Sequence, residues 1–112
     1  WVPEMLVRLD DIHKAYSRVD ERLKGFTRKP SEQIREQCAF TPFVFENVGR
    51  MIEHSNDDLY LFSSDYPHTE GGRDPIARFE SCMKDVPQAS VDKFNSGNFL
   101  RVFPHARVTA DK

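Results

Sequence analysis

The residues best suited to chemistry sit at the end of one apolar run. In Leu59-Tyr60-Leu61-Phe62-Ser63-Ser64-Asp65-Tyr66-Pro67-His68, a carboxylate and an imidazole stand three positions apart. Carboxylate oxygen and imidazole nitrogen both ligate divalent metals, and both groups accept and return protons. The flanking residues predict how they are presented. Residues 59–62 read as a buried strand, and Pro67 keeps it from running on. Gly71 and Gly72 let the chain turn, and Asp74-Pro75 starts a helix. Strand, acidic tip, loop and helix is the order in which parallel α/β proteins present reactive groups at the carboxyl ends of their strands. Plainer readings stand beside these. Asp65 also fits a cap of the following turn, since Asp is a common turn former. His68 reads either as a group that holds Asp65 or touches substrate, or as a loop histidine packed on Tyr66. Tyr66 joins it on the substrate side, shaping the loop with Pro67 rather than reacting.

The elements that must position this loop follow from periodicity and punctuation. Residues 3–24 read as one amphipathic helix with Pro3 at its first position. Its apolar stripe is Val2, Met5, Leu6, Leu9, Ile12, Tyr16, Val19 and Leu23, and Gly25 stops it. His13 on this helix reads as a surface imidazole. Lys24, Arg28 and Lys29 mark a solvated linker. Ser31 suits the cap of a short turn through Glu36. Cys38-Ala39-Phe40-Thr41 reads as a short strand ended by Pro42. Residues 43–54 read as a second helix, with Val48, Met51 and Ile52 on its apolar face. Gly49 inside it points to close packing against a neighbour. His54 reads as a partner for that helix's carbonyl end. Asp74 caps a third helix carrying Ile76, Phe79, Cys82 and Met83 inward. Residues 88–94 form a further helix that Asn95-Ser96-Gly97 ends. Residues 98–103 make a closing turn, and 104–112 a frayed tail.

The predicted order is helix, strand, helix, strand, helix, helix. Two strands joined through a helix make a parallel, right-handed crossover, so the expected class is α/β with two short parallel strands and flanking helices. One sheet face would then be apolar and uncovered, with Cys38, Phe40 and alternate members of 59–62 on it. Such a surface favours self-association.

The chain has 112 residues and a net charge of −2, with both signs mixed along its length. That balance favours neither nucleic acid nor an anionic membrane as partner. Mean hydropathy is −0.63, and no apolar run approaches the roughly 20 residues of a membrane span. Cys38 and Cys82 stand alone, without a C-x-x-C pair, and read as reduced, buried thiols of a cytosolic protein.

The stretch Ser64-Asp65-Tyr66-Pro67-His68, with Glu70-Gly71 behind it, resembles the last-strand motif of the metal-dependent amidohydrolase-related family. That family includes aminocarboxymuconate-semialdehyde decarboxylase and related hydrolases, all (β/α)8 barrels. Trp1-Val2-Pro3 with Arg8-Leu9-Asp10, Lys29-Pro30-Ser31 to Arg35, and residues 98–103 resemble the family's neighbouring segments. The resemblance covers nearly the whole chain. A complete barrel has about 250 residues, so it implies a C-terminal barrel fragment over 1–112, either a truncated sequence or a natural short protein.

The resemblance implies that Asp65 ligates a divalent metal, zinc or manganese, and transfers the reaction's proton. It implies a small-molecule substrate, a carboxylic and in some members aromatic acid, that is hydrolysed or non-oxidatively decarboxylated. Departures accompany the matches. Family members carry a His-x-His pair, whereas this chain has only His13, His54, His68 and His105. Ser63 stands where the family often has Gly. With Asp65 as its single metal donor, the chain alone is expected to be inactive and to retain no metal, since a catalytic zinc takes about three protein ligands. The competing function is a non-catalytic interaction protein, monomeric or homo-oligomeric, that keeps the motif as a loop cap.

Overall fold

Helix α1 (Val2–Tyr16) opens on Pro3 and buries Val2 and Leu6, one turn apart, in the computed structural model, which describes residues 1–106. The apolar stripe predicts a single helix over 3–24, but the chain breaks after Tyr16. Asp20 is the reason. Its carboxylate accepts from Arg22 N at 3.0 Å and from the Arg22 guanidinium at 2.6 Å, and so starts helix α2 (Glu21–Lys24). Past the break the stripe points outward, and Val19 is 77% exposed.

Helix α3 (Pro30–Gln37) packs on α1 through one polar clamp. Ser31 donates its N–H and its hydroxyl to the two Asp10 carboxylate oxygens, at 2.9 and 2.7 Å. Burial pushes the Asp10 carboxyl up. The two Ser31 bonds and the nearby Lys29 and Arg35 charges outweigh it and hold Asp10 below its ordinary value. Ser31 therefore ties two helices together instead of capping one. Between α1, α2 and α3 lies an apolar cavity of about 290 Å³, with Leu9, Ile34 and Phe26 among its walls. His13 is half-buried beside it, edge-on to Phe26 with ring centres 5.8 Å apart.

The predicted helix over 43–54 starts five residues late. Glu46 accepts from Phe43 N and closes a turn, and Asn47 accepts from Arg50 N at 2.9 Å to cap helix α4 (Val48–Glu53). Helix α5 (Pro75–Cys82) starts at Asp74, which accepts from Ala77 N at 3.1 Å, as its Asp-Pro sequence predicts. Gly49 of α4 meets α5 so closely that a Cβ there would lie 2.2 Å from the Cys82 carbonyl oxygen.

The two parallel strands are not formed, and among the described residues there is no strand or sheet. The chain is helical, which corrects both the α/β assignment and the barrel fragment drawn from it. The two apolar segments touch at one isolated parallel bridge, Phe40 to Tyr60, with Phe40 N to Leu59 O at 2.8 Å and Leu61 N to Phe40 O at 2.9 Å. The ladder stops there because the adjoining backbone groups are engaged elsewhere. Cys38 N donates to Ile34 O at the end of α3, and Pro42 has no N–H. On the other segment Phe62 N donates to Phe94 O, and Tyr60 O accepts from the Asn98 side chain. Leu59, Tyr60 and Leu61 are buried by helices, so the predicted uncovered face of 59–62 is absent. Cys38 is exposed and Cys82 half-buried, both as free thiols.

Helix α6 (Gln88–Asp92) does not end at Asn95. It passes through a π turn (Lys93–Gly97) directly into helix α7 (Asn98–Val102). Gly97 keeps right-handed helical angles. Phe94 on this rod packs edge-on to Phe79 and Phe62, with ring centres 5.0 and 6.2 Å away. Asn98 is buried and donates its amide to Asp57 O at 2.7 Å and Tyr60 O at 2.9 Å. Asp57 accepts from Ser90 and Lys93 at its side chain. Burial works to raise its carboxyl, but those two donors prevail and hold it below the ordinary value. We expect Asn98→Ala to cost about 2–3 kcal/mol, because it strips buried carbonyls of their donor. Urea denaturation measures this, and a loss under 0.5 kcal/mol would show that water replaces the amide.

The whole is elongated, 59 × 29 × 29 Å, with the α1–α3 end extending from the core around Tyr60, Phe79 and Phe94. Of the expected tail over 104–112, residues 104–106 follow a turn closed by Ala106 N to Phe103 O, and 107–112 lie outside the described residues. Among the described residues no helix is long and apolar enough to cross a membrane.

Candidate functional site

The chain leaves the core at Phe62 and enters a loop whose backbone bonds are mostly made within itself. The Ser63 hydroxyl accepts from Asp65 N and the Ser64 hydroxyl from Tyr66 N, each at 3.3 Å. Asp65 has φ +55°, in the left-handed region that Asp tolerates better than most residues with a side chain. His68 N then donates to Asp65 O at 2.8 Å across the cis Tyr66–Pro67 bond, and Gly71 N donates to His68 O at 3.1 Å. A 3₁₀ turn (Thr69–Gly71) completes the loop. Gly71 is buried against it, and a Cβ there would lie 2.4 Å from Ser64 O and 3.1 Å from Asp65 O.

This folding brings three donor side chains together. One ligand atom each from Asp65, His68 and Glu70 lie within 4.8 Å of one another. His68 Nδ1 is 4.0 Å from Glu70 Oε1. Asp65 is half-buried, while His68 and Glu70 are exposed. Tyr66 is 87% exposed, so its ring does not enclose the group. Among the described residues no hydrogen-bond donor reaches the Asp65 carboxylate. The cap of the following helix is Asp74, and the loop's own N–H groups go to Ser63, Ser64 and main-chain oxygens.

The donor set suits a divalent metal. Carboxylate oxygens fit manganese, and imidazole with carboxylate fits zinc. Two donors of one zinc lie at most about 4.2 Å apart, twice a bond of about 2.1 Å, so the group must close by roughly half an ångström. Exposed side chains on a short loop make such an adjustment by rotamer changes. The expectation of a single donor in this chain thus has a different premise in the structure. Glu70 is the residue that sequence reasoning named in the motif without giving it a role. The D-x-x-H-x-E spacing between Pro and Gly was its signal. His13 and His54 lie elsewhere: His13 against Phe26, and His54 at the end of α4 with Nε2 3.9 Å from Glu53.

No family model matches the chain, and no curated protein matches it. Among solved structures, the chain is similar to the crystal structure of an amidohydrolase from Mycobacterium avium subsp. paratuberculosis. The TM-score is 0.69 and the identity 25%, over 87% of this chain and 24% of that one. The chain therefore spans about a quarter of the length of that amidohydrolase. The likeness is to an amidohydrolase fold, and does not extend to the narrower decarboxylase group that the motif resembles.

Proposed function

We propose that this chain supplies part of the active site of a metal-dependent, amidohydrolase-like hydrolase. The observation that carries the reading is the meeting of Asp65, His68 and Glu70 on one loop. The likeness to an amidohydrolase gives that cluster its chemical context. Asp65, His68 and Glu70 would hold zinc or manganese, which when bound polarises a carbonyl or a water. Asp65 accepts a proton from the attacking water and returns it to the leaving group. Its freedom from hydrogen bonds within the described residues leaves its oxygens available for both tasks. His68 orients Asp65 and completes the donor set, and Glu70 balances the metal's charge. The substrate is a small carboxylic molecule with a carbon–nitrogen or ester bond. The neighbour's description favours hydrolysis over the decarboxylation that the motif equally allows.

Calorimetric titration of the chain with zinc and with manganese tests the site. We expect one equivalent of zinc to bind, and Asp65→Ala to abolish it. Absence of binding at millimolar zinc, or binding indifferent to loss of all three donors, would overturn the reading. Hydrolysis is then assayed on the gene product in its native length against amides and esters of small carboxylic acids.

A further inference from the structure

We infer that Gly71 is the positioning residue for Asp65, holding the Ser64–Asp65 peptide where the Asp65 carboxylate meets His68 and Glu70. This rests on the reading of the loop as a metal site. Left-handed φ at a residue with a side chain persists only where the surroundings over-determine it. At Asp65 the surroundings are the loop itself. Its carbonyl is held by His68 N at 2.8 Å, and His68 O is held by Gly71 N at 3.1 Å. Those two bonds bring the Gly71 Cα back over the peptide it follows. A Cβ there would lie 2.4 Å from Ser64 O, 3.1 Å from Asp65 C and 3.1 Å from Asp65 O. All three close atoms are main chain, so a side chain at 71 cannot be accommodated by a rotamer change. Gly71 is buried while Glu70 and Gly72 are exposed, which places the contact on the inner side of the loop. The tight contact at Gly49 is of another kind, since it lies between two helices. At Gly71 the backbone touched belongs to the candidate ligand. The residue acts through Asp65, without itself touching metal or substrate.

The test compares zinc affinity of the folded protein, by titration well below the melting temperature, in wild type, Gly71→Ala and Asn98→Ala. Asn98→Ala is the control, destabilised away from the loop. Gly71→Ala is expected to weaken zinc about 10–100-fold, the range found when a group supporting a metal ligand is removed. Asn98→Ala is expected to keep wild-type affinity while lowering the melting temperature. Equal affinities in wild type and Gly71→Ala would overturn the inference and leave Gly71 with packing alone. A second measurement serves if Gly71→Ala does not fold or if the wild type binds no zinc, the latter being a failure of the metal reading itself. Asp65→Gly lets the 64–65 peptide move without strain. Its gain in melting temperature should be larger in the Gly71→Ala background than in wild type, as coupling between contacting residues requires. Equal gains in the two backgrounds would overturn the inference.

Discussion

Asp65→Asn should lower the turnover of the native-length enzyme by about 10²–10⁴-fold, the range that general acid–base catalysis contributes. Asn keeps the size of Asp and tolerates left-handed φ, so the loop should retain its shape. What it loses is the charge and the proton acceptor. The loss should therefore fall on kcat more than on KM, as for an interaction made in the transition state. His68→Ala should cost less, about 10–100-fold, because its role is to orient Asp65 and share the metal. Steady-state kinetics on both variants, with metal content measured in parallel, check the order. Near-normal turnover in Asp65→Asn together with loss of activity in His68→Ala would reverse the assigned roles.

The largest expected effect on stability belongs to Gly49→Ala, at about 3 kcal/mol, the upper part of the range for overpacking a filled interior. The new Cβ would fall 2.2 Å from the Cys82 carbonyl oxygen and 3.2 Å from its carbon. Neither atom belongs to a flexible side chain, so α4 and α5 must move apart. That movement loosens Val48 and Met51 on one side and Phe79 and Met83 on the other, all buried. Helix propensity works the other way, favouring Ala over Gly by about 1 kcal/mol, and is too small to reverse the sign. A fall in melting temperature of about 10–20 °C corresponds to this cost in a domain of this size. Gly25→Ala supplies the contrast. Nothing lies within 4 Å of its Cβ position, so its melting temperature should stay within about 2 °C of wild type. A Gly49→Ala protein as stable as Gly25→Ala would mean that the two helices slide freely.

Local signals carried the sequence reading well where one residue decides the outcome. Asp74-Pro75 starts α5 in the structure, and Gly49 lies at a close helix approach. The reading failed where competition between residues far apart decides. Residues 38–41 and 59–62 have the composition of strands, but a ladder needs their backbone groups to be free. Ile34 O, Phe94 O and the Asn98 amide take those groups instead, and no window of local sequence reveals that. The break after Tyr16 had a local signal in Asp20, which the longer apolar stripe overrode. At the candidate site, Asp65 and His68 were readable from type and spacing. Glu70 needed the turn at 69–71 to bring it round, and the left-handed angle at Asp65 becomes intelligible only with Gly71 packed against it.

The π turn at Lys93–Gly97 makes residue count, rather than residue identity, the controlled quantity in the rod from 88 to 102. Such a turn holds more residues than an α turn, so it resets the angular phase of whatever follows. Phe94 and Asn98 are both buried on this rod, while Asn95, Ser96 and Gly97 between them are exposed. Those three positions touch little and should accept many side chains. Removing any one of them is a different matter. The rod would close up into ordinary α-helix and everything beyond would rotate by about 100°. Phe94 would keep its place beside Phe79, while the Asn98 amide would swing away from Tyr60 O and carry Arg101 off the Asp58 carbonyl it now reaches at 2.6 Å. The segment is a mechanical spacer, open to substitution and closed to deletion.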